Sequence, residues 1–141
     1  MRQSMLTRSA WRGGVVALLV MLNASIANAQ ANDEDIGKRY IRCAAVLATA
    51  SAVGKDQKAK ERFSSGSMLL LLWASELGAD RPEKERLDQV TRDFGLQVVE
   101  VGREVKLKTP SAASEFATKY GGELNQCGAL LADEMKNRKK P

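Results

Sequence analysis

The chain has 141 residues, with 22 lysines and arginines, 17 aspartates and glutamates, and no histidine. Its length suits one domain and is short for two. Without histidine, the chain cannot form haem or zinc sites with histidine ligands, nor the Ser-His and Cys-His pairs of many hydrolases. It also lacks haem-attachment, phosphate-loop and calcium-loop motifs. We therefore expect neither a cofactor nor a metal ion, and the sequence favours a non-enzymatic protein.

The first 29 residues have the three parts of a secretory signal peptide. Basic residues precede an apolar run from Val15 to Leu22, and small residues follow that run. The run is shorter than the roughly 20 residues that cross a bilayer as a helix. Ala27-Asn28-Ala29 predicts cleavage before Gln30, and a second site lies before Asn32. The alternative is an uncleaved membrane anchor, which the short run and the good cleavage site disfavour.

Residues 30–141 are then expected to form a single exported domain of 112 residues. Cleavage of the signal peptide removes Arg2, Arg8 and Arg12, which leaves 19 basic and 17 acidic residues. A nearly balanced charge makes nucleic acid an unexpected partner, and the basic tail 136–140 is typical of a solvated chain end. We expect a periplasmic or secreted protein with no stable membrane span after cleavage.

The chain has two cysteines, Cys43 and Cys127, which allow a single pairing in an oxidising compartment. A bond between them closes a loop with a sequence separation of 84 residues. The chain-entropy model assigns such a loop roughly 4–5 kcal/mol, as an upper limit. A redox-active pair would need closely spaced cysteines, as in C-x-x-C, so a structural disulfide is predicted.

Helical periodicity organises the first half of the domain. The acids of Asn32–Asp35 suit the start of a helix, and apolar residues then recur at three- and four-residue steps as far as Ala50. Gly54 is a plausible stop. A second helix is expected to begin near Lys55, and Ser64–Ser67 should kink it or divide it, because glycine and serine are weak helix formers.

The second half contains two further predicted helices. Asp80-Arg81-Pro82-Glu83 has the cap, proline and acid of a helix start, and apolar residues follow from Leu87 to Val105. Residues 97–108 also alternate like a strand, but no partner strand is evident, which favours a helix. A fourth helix should follow Pro110, with Ser111 or Ser114 as its cap. Gly121-Gly122 should weaken or kink it.

These elements predict an all-α fold, a small up-and-down bundle of about four helices. Both cysteines fall on apolar helix faces. Since the first and fourth helices of such a bundle are antiparallel neighbours, the Cys43–Cys127 bond can join them.

The block Met68–Trp73 is apolar around the whole circumference of a helix. It is either the central helix of the bundle or an apolar surface left for another molecule. A domain of this size has few helices with which to cover every side of one, so we consider both. The candidate interaction patch comprises Leu69, Leu70, Leu72 and Trp73.

Three functions are compatible with these observations. The leading hypothesis is a non-enzymatic interaction module, such as an inhibitor, an adaptor or an envelope-assembly subunit, which binds a second copy or an envelope protein. The second is a carrier of an apolar small molecule between the helices. The third is a carboxylate-dependent hydrolase of envelope polymers that uses Glu76, although a solvated acid is the commoner role for such a residue. Glu100 is expected at the surface beside Arg103.

Overall fold

The computed structural model describes the backbone of residues 10–140 and the side chains from Asn32 to Lys140. The chain divides into two compact units, Met1–Asp35 and Ile36–Pro141, and the buried residues begin at Tyr40. The described residues form four helices and no strand, which confirms the predicted all-α bundle. The predicted signal peptide, residues 1–29, and its cleavage site before Gln30 lie outside the described side chains and stay predictions.

The first helix, α1, spans Ala10–Val53 and therefore runs through Asn32–Asp35 instead of beginning there. The predicted helix start at that point is wrong for the uncleaved chain. Cap residues begin a helix only when the preceding backbone is not helical, and the alanines before Asn32 are strong helix formers. The predicted end before Gly54 is confirmed.

The helix covered on most sides is α1, and not the helix that contains Met68–Trp73. Four consecutive α1 residues are buried, Ala44 to Leu47, which a helix with one solvated face does not allow. Ala44 and Leu47 belong to a core cluster with Leu70 and Trp73, and Val46 belongs to a second cluster with Val101 and Phe116. The small side chains of Ala44 and Ala45 let the other helices approach the α1 backbone closely.

The second helix, α2, spans Gln57–Glu76 without interruption, so a division at Ser64–Ser67, one of the two predicted alternatives, is wrong. Tertiary contacts there outweigh the low helix propensity. The buried Ser67 hydroxyl donates a hydrogen bond of 2.8 Å to the carbonyl of Ala44 on α1. At the N-terminus, the Asp56 side chain accepts from the backbone N–H of Ala59. After the helix, Gly78 turns the chain at φ +70°, in the region that favours glycine.

The third helix, α3, spans Glu83–Glu104, so the helical interpretation of residues 97–108 is confirmed up to Glu104. Val101 and Val105 are fully buried, whereas Leu87, at the predicted start of the apolar stripe, is exposed. The helix begins as predicted with acids in its first turn. However, Pro82 occupies the N-cap position, and no side chain caps the helix.

The fourth helix, α4, spans Ala112–Arg138, and Gly121-Gly122 does not interrupt it. Ser111 is at the N-cap position, without a capping hydrogen bond from its side chain. Hydrogen bonds establish an up-and-down order: Arg86 of α3 reaches the Ser75 carbonyl near the end of α2, and Tyr120 of α4 reaches Glu104 at the end of α3.

The predicted disulfide between Cys43 on α1 and Cys127 on α4 is confirmed, with a Cα–Cα distance of 5.2 Å. The Cys127 side chain is fully buried in the cluster that contains Val46 and Tyr120. The bond thus joins the first and last helices inside the core.

Candidate binding groove between α2 and α4

The structure divides the predicted interaction patch between the core and the surface. Leu70 is fully buried and Trp73 is 7% exposed, so neither can contact another molecule without local opening. Leu69 is half-buried, and Leu72 is 56% exposed. Met68, one turn before Leu72, is 64% exposed. The apolar block therefore contributes both to the core of the bundle and to its surface.

Leu69 lies in an open groove of about 750 Å³ between α2 and α4. The groove has an apolar part and a polar part. The apolar part is formed by Gly66, Leu69, Leu131 and Met135. The polar part is formed by Lys58, Glu61, Arg62 and Ser65. The volume lies within the range of about 300–1,000 Å³ that is typical of small-molecule sites.

The exposed pair Met68 and Leu72, which we call the Met68/Leu72 strip, adjoins this groove. Leu72 follows Leu69 by three residues and Met68 by four, and side chains at these spacings are neighbours on a helix surface. Met135 borders the groove from α4 and is 38% exposed. Both methionines thus lie at this surface, where a flexible thioether chain can adapt to different partners.

The floor of the groove depends on a close approach of three helices at Gly66. A Cβ atom on this residue would lie 2.8 Å from Cδ2 of Leu131 and 3.3 Å from Cδ1 of Leu47. A larger residue at this position would require these side chains, or the helices that carry them, to shift. Gly66 thus lets α2 lie close to α1 and α4, which explains a glycine in the middle of a continuous helix.

Glu76, the candidate catalytic acid, does not lie in an apolar pocket. Its side chain is 60% exposed and accepts a hydrogen bond of 2.9 Å from Nη1 of Arg138. The same guanidinium lies over the Trp73 ring, 4.5 Å from the centroid, and 3.5 Å from Glu134. This cluster attaches the end of α4 to α2. The carboxylate has none of the surroundings that make a proton donor.

A polar cluster that the sequence did not predict connects α1, α3 and α4. Arg42 donates to both carboxylate oxygens of Glu123, at 2.7 and 3.3 Å, and to the side-chain carbonyl of Gln97, at 2.8 Å. The hydrogen bond with Glu123 is the largest cause of a raised Arg42 pKa. The guanidinium carbon is 5.6 Å from the centroid of the Tyr120 ring.

The hydroxyl of Tyr120 donates to Glu104, and its removal from water together with this bond raises the pKa of Tyr120 to about 12. Glu100 is exposed as predicted, with its carboxylate 3.9 Å from Arg42. Each acid of the cluster faces a donor, and the tyrosine stays protonated at neutral pH. The arrangement therefore holds three helices together.

Neither a metal-ligand cluster nor a membrane-spanning helix occurs among the described residues. No group of three or more His, Cys, Asp or Glu side chains in that part of the chain could hold a metal ion. None of its helices is both long enough and apolar enough to cross a membrane.

The chain matches none of the protein-family models, none of the curated proteins and none of the solved structures with which it was compared. The groove itself is therefore the basis for a functional proposal.

Proposed function

We propose that the protein is an exported, non-enzymatic binding module that acts through the α2/α4 groove and the Met68/Leu72 strip. One observation carries the proposal. The two most exposed apolar side chains of α2, Met68 and Leu72, adjoin a groove whose floor is also apolar. A contiguous apolar surface in a small protein commonly marks a binding site.

Export is supported by the disulfide as well as by the N-terminal sequence pattern. A buried bond between Cys43 and Cys127 persists in an oxidising compartment and is rare in the cytosol. An inhibitor, an adaptor or an envelope-assembly subunit would each use a surface of this kind. The exposed, paired Glu76 gives the hydrolase hypothesis no support.

A carrier of an apolar small molecule is the second candidate function. The groove volume of about 750 Å³ favours it, because this space accommodates a ligand of moderate size without movement of the helices. Both candidates use the same surface and differ in what occupies it.

Photo-crosslinking in intact cells tests whether this surface binds another molecule, and it does not require the molecule to be known in advance. A photoreactive amino acid replaces Leu72, which is 56% exposed beside the groove, or Leu96, which is 65% exposed on α3. We expect adducts from position 72 and far fewer from position 96. The adduct mass tells a second copy, another protein and a lipid apart. Equal yields at the two positions, or no adduct at either, would contradict the proposal.

A further inference from the structure

Two cationic side chains that form no ion pair with a described residue lie on the wall of the α2/α4 groove. Lys58 and Arg62 are one turn apart on α2, and neither forms an ion pair or a hydrogen bond with another described residue. Glu61 also lines the groove, and its carboxylate accepts a hydrogen bond of 3.1 Å from Gln57. The polar part of the groove therefore has one more positive than negative charge.

This placement is unfavourable for the folded protein by itself. Like charges four residues apart on a helix repel each other. Lys58 also lies in the first turn of α2, where the helix dipole disfavours a cation, and that turn contains no acidic residue. An anion bound between Lys58 and Arg62 would relieve both effects.

The apolar part of the groove begins beyond these cations. From Lys58 to Leu69, α2 rises by about 16 Å, since each residue adds about 1.5 Å. Leu69 lies at the other end of this length, and Leu131 lies beside Gly66, one helical turn before Met135 on α4. Gly66, between the cations and Leu69, adds no side chain. The groove thus has a cationic end and an apolar end.

We propose that the α2/α4 groove binds an anionic single-chain amphiphile, with its head group at Lys58 and Arg62 and its acyl chain along Leu69, Leu131 and Met135. The inference rests on the proposed function, because it assigns the occupant of the same surface. Charge complementarity selects this occupant over a neutral apolar molecule.

Calorimetry with the disulfide-bonded protein tests the proposal. The probes share a fourteen-carbon chain and differ in the head group: myristate, a lysophosphatidate, tetradecanol and tetradecyltrimethylammonium, each below its micelle-forming concentration. We expect one molecule of either anion to bind, with weaker binding of the alcohol and weakest binding of the cation. The two anions distinguish a carboxylate head from a phosphate head.

Two double variants distinguish anion binding in the groove from a general effect of the protein's charge. Lys58→Gln with Arg62→Gln should weaken myristate binding about tenfold, as expected for the loss of two exposed charge contacts, and leave tetradecanol binding unchanged. Lys84→Gln with Arg92→Gln removes the same charge from exposed positions of α3 and should change neither. Circular dichroism checks that both variants keep the fold.

The outcomes also separate this inference from the proposed function. Absence of amphiphile binding, equal effects of the two double variants, or binding only to anionic vesicles would overturn the inference. If position 72 then still crosslinked to a protein, the binding module would stand with a protein as its occupant. If neither crosslinking nor amphiphile binding were found, both proposals would fail.

Discussion

Gly66 and Leu131 are in such close contact that the space between α2 and α4 leaves no room for a methyl group. A Cβ atom at Gly66 would lie 2.8 Å from the Leu131 side chain, and the buried Leu47 lies behind it at 3.3 Å. The glycines of α4 are different, because a Cβ atom at Gly121 or Gly122 would meet nothing within 4 Å. The two helices thus contain glycine for different reasons.

Alanine substitution at these glycines should have opposite effects on stability. Gly121→Ala should stabilise the protein by about 1 kcal/mol, since alanine is the better helix former and nothing opposes its methyl group. Gly66→Ala should destabilise it by up to about 2 kcal/mol, because overpacking outweighs the same gain. Urea denaturation measures both. Equal stabilisation by the two substitutions would disprove the close contact.

Trp73 and Leu72 are adjacent in sequence and should respond differently to substitution. Trp73→Ala should cost about 3–5 kcal/mol, because the ring is buried against Tyr40 and beneath Arg138. Leu72→Ala should change stability by less than about 1 kcal/mol. Urea denaturation measures this difference too. Because Trp73 is buried, its substitution reports on the core and is unsuitable as a test of self-association.

Leu72→Asp is the better probe of self-association. If a second copy occupies the surface, the wild-type protein should form dimers in sedimentation at micromolar concentration, and Leu72→Asp should weaken them. Leu96→Asp, at a similarly exposed site on α3, serves as the control. Monomeric wild-type protein under these conditions would exclude a second copy as the occupant.

Loss of the Cys43–Cys127 bond should lower stability without changing the fold class. Replacement of both cysteines by serine should cost no more than the roughly 4–5 kcal/mol of the chain-entropy limit, plus the cost of burying a hydroxyl at position 127. Native protein should also resist alkylation until it is reduced. Alkylation without reduction would show that the bond is absent from the protein in solution.

Because their pKa values are raised, the two tyrosines should make the folded protein less stable in strong base. The pKa of Tyr120 is raised to about 12 from 10.0, so between these values the unfolded chain releases the proton while the folded protein retains it. The free energy of unfolding should therefore fall as pH rises through this window, by about 1.4 kcal/mol per pH unit from Tyr120, and Tyr120→Phe should remove this contribution. Burial also raises the pKa of Tyr40.

Tyrosinate absorbance is the direct measurement of that shift. The folded protein should ionise both tyrosines above the ordinary pKa, and Tyr120→Phe should remove the later of the two steps. Ionisation of Tyr120 at its ordinary pKa in the folded state would contradict its burial and its bond to Glu104.

If the protein is exported, cleavage of the signal peptide should lower its mass by a defined amount. Protein recovered from the periplasm or the medium should lack residues 1–29, or 1–31 if the second site is used. Intact-mass spectrometry distinguishes the two cleavage sites. Full-length chain in the membrane fraction would instead support the uncleaved anchor.

The features that the sequence predicted are those carried by local periodicity. The spacing of apolar residues predicted all four helices, and two cysteines on such stripes predicted the bond between α1 and α4. The continuity of α2 could not be predicted, because it depends on contacts made by Ser67 and Gly66 with distant residues. The central position of α1 was also missed, since alanines such as Ala44 and Ala45 contribute little to a hydrophobic stripe.

The candidate site was predicted only in part for a similar reason. An apolar block such as Met68–Trp73 has no polar side, so its sequence cannot indicate which residues face the core. The other wall of the groove comes from Leu131 and Met135, more than fifty positions away. Lys58 and Arg62 were not predicted to be site residues. The signal available was the four-residue spacing of two cations on one helix.

The position of the disulfide gives the molecule an unusual connectivity. All of α2 and α3 lies between Cys43 and Cys127, so the bond closes these helices into a covalent ring with one tail on each side. The ring has an exposed turn at residues 79–82. A protease that cut this turn would open the ring without releasing a fragment, since the two pieces would stay linked through the cystine. Electrophoresis would therefore separate the two pieces only after reduction.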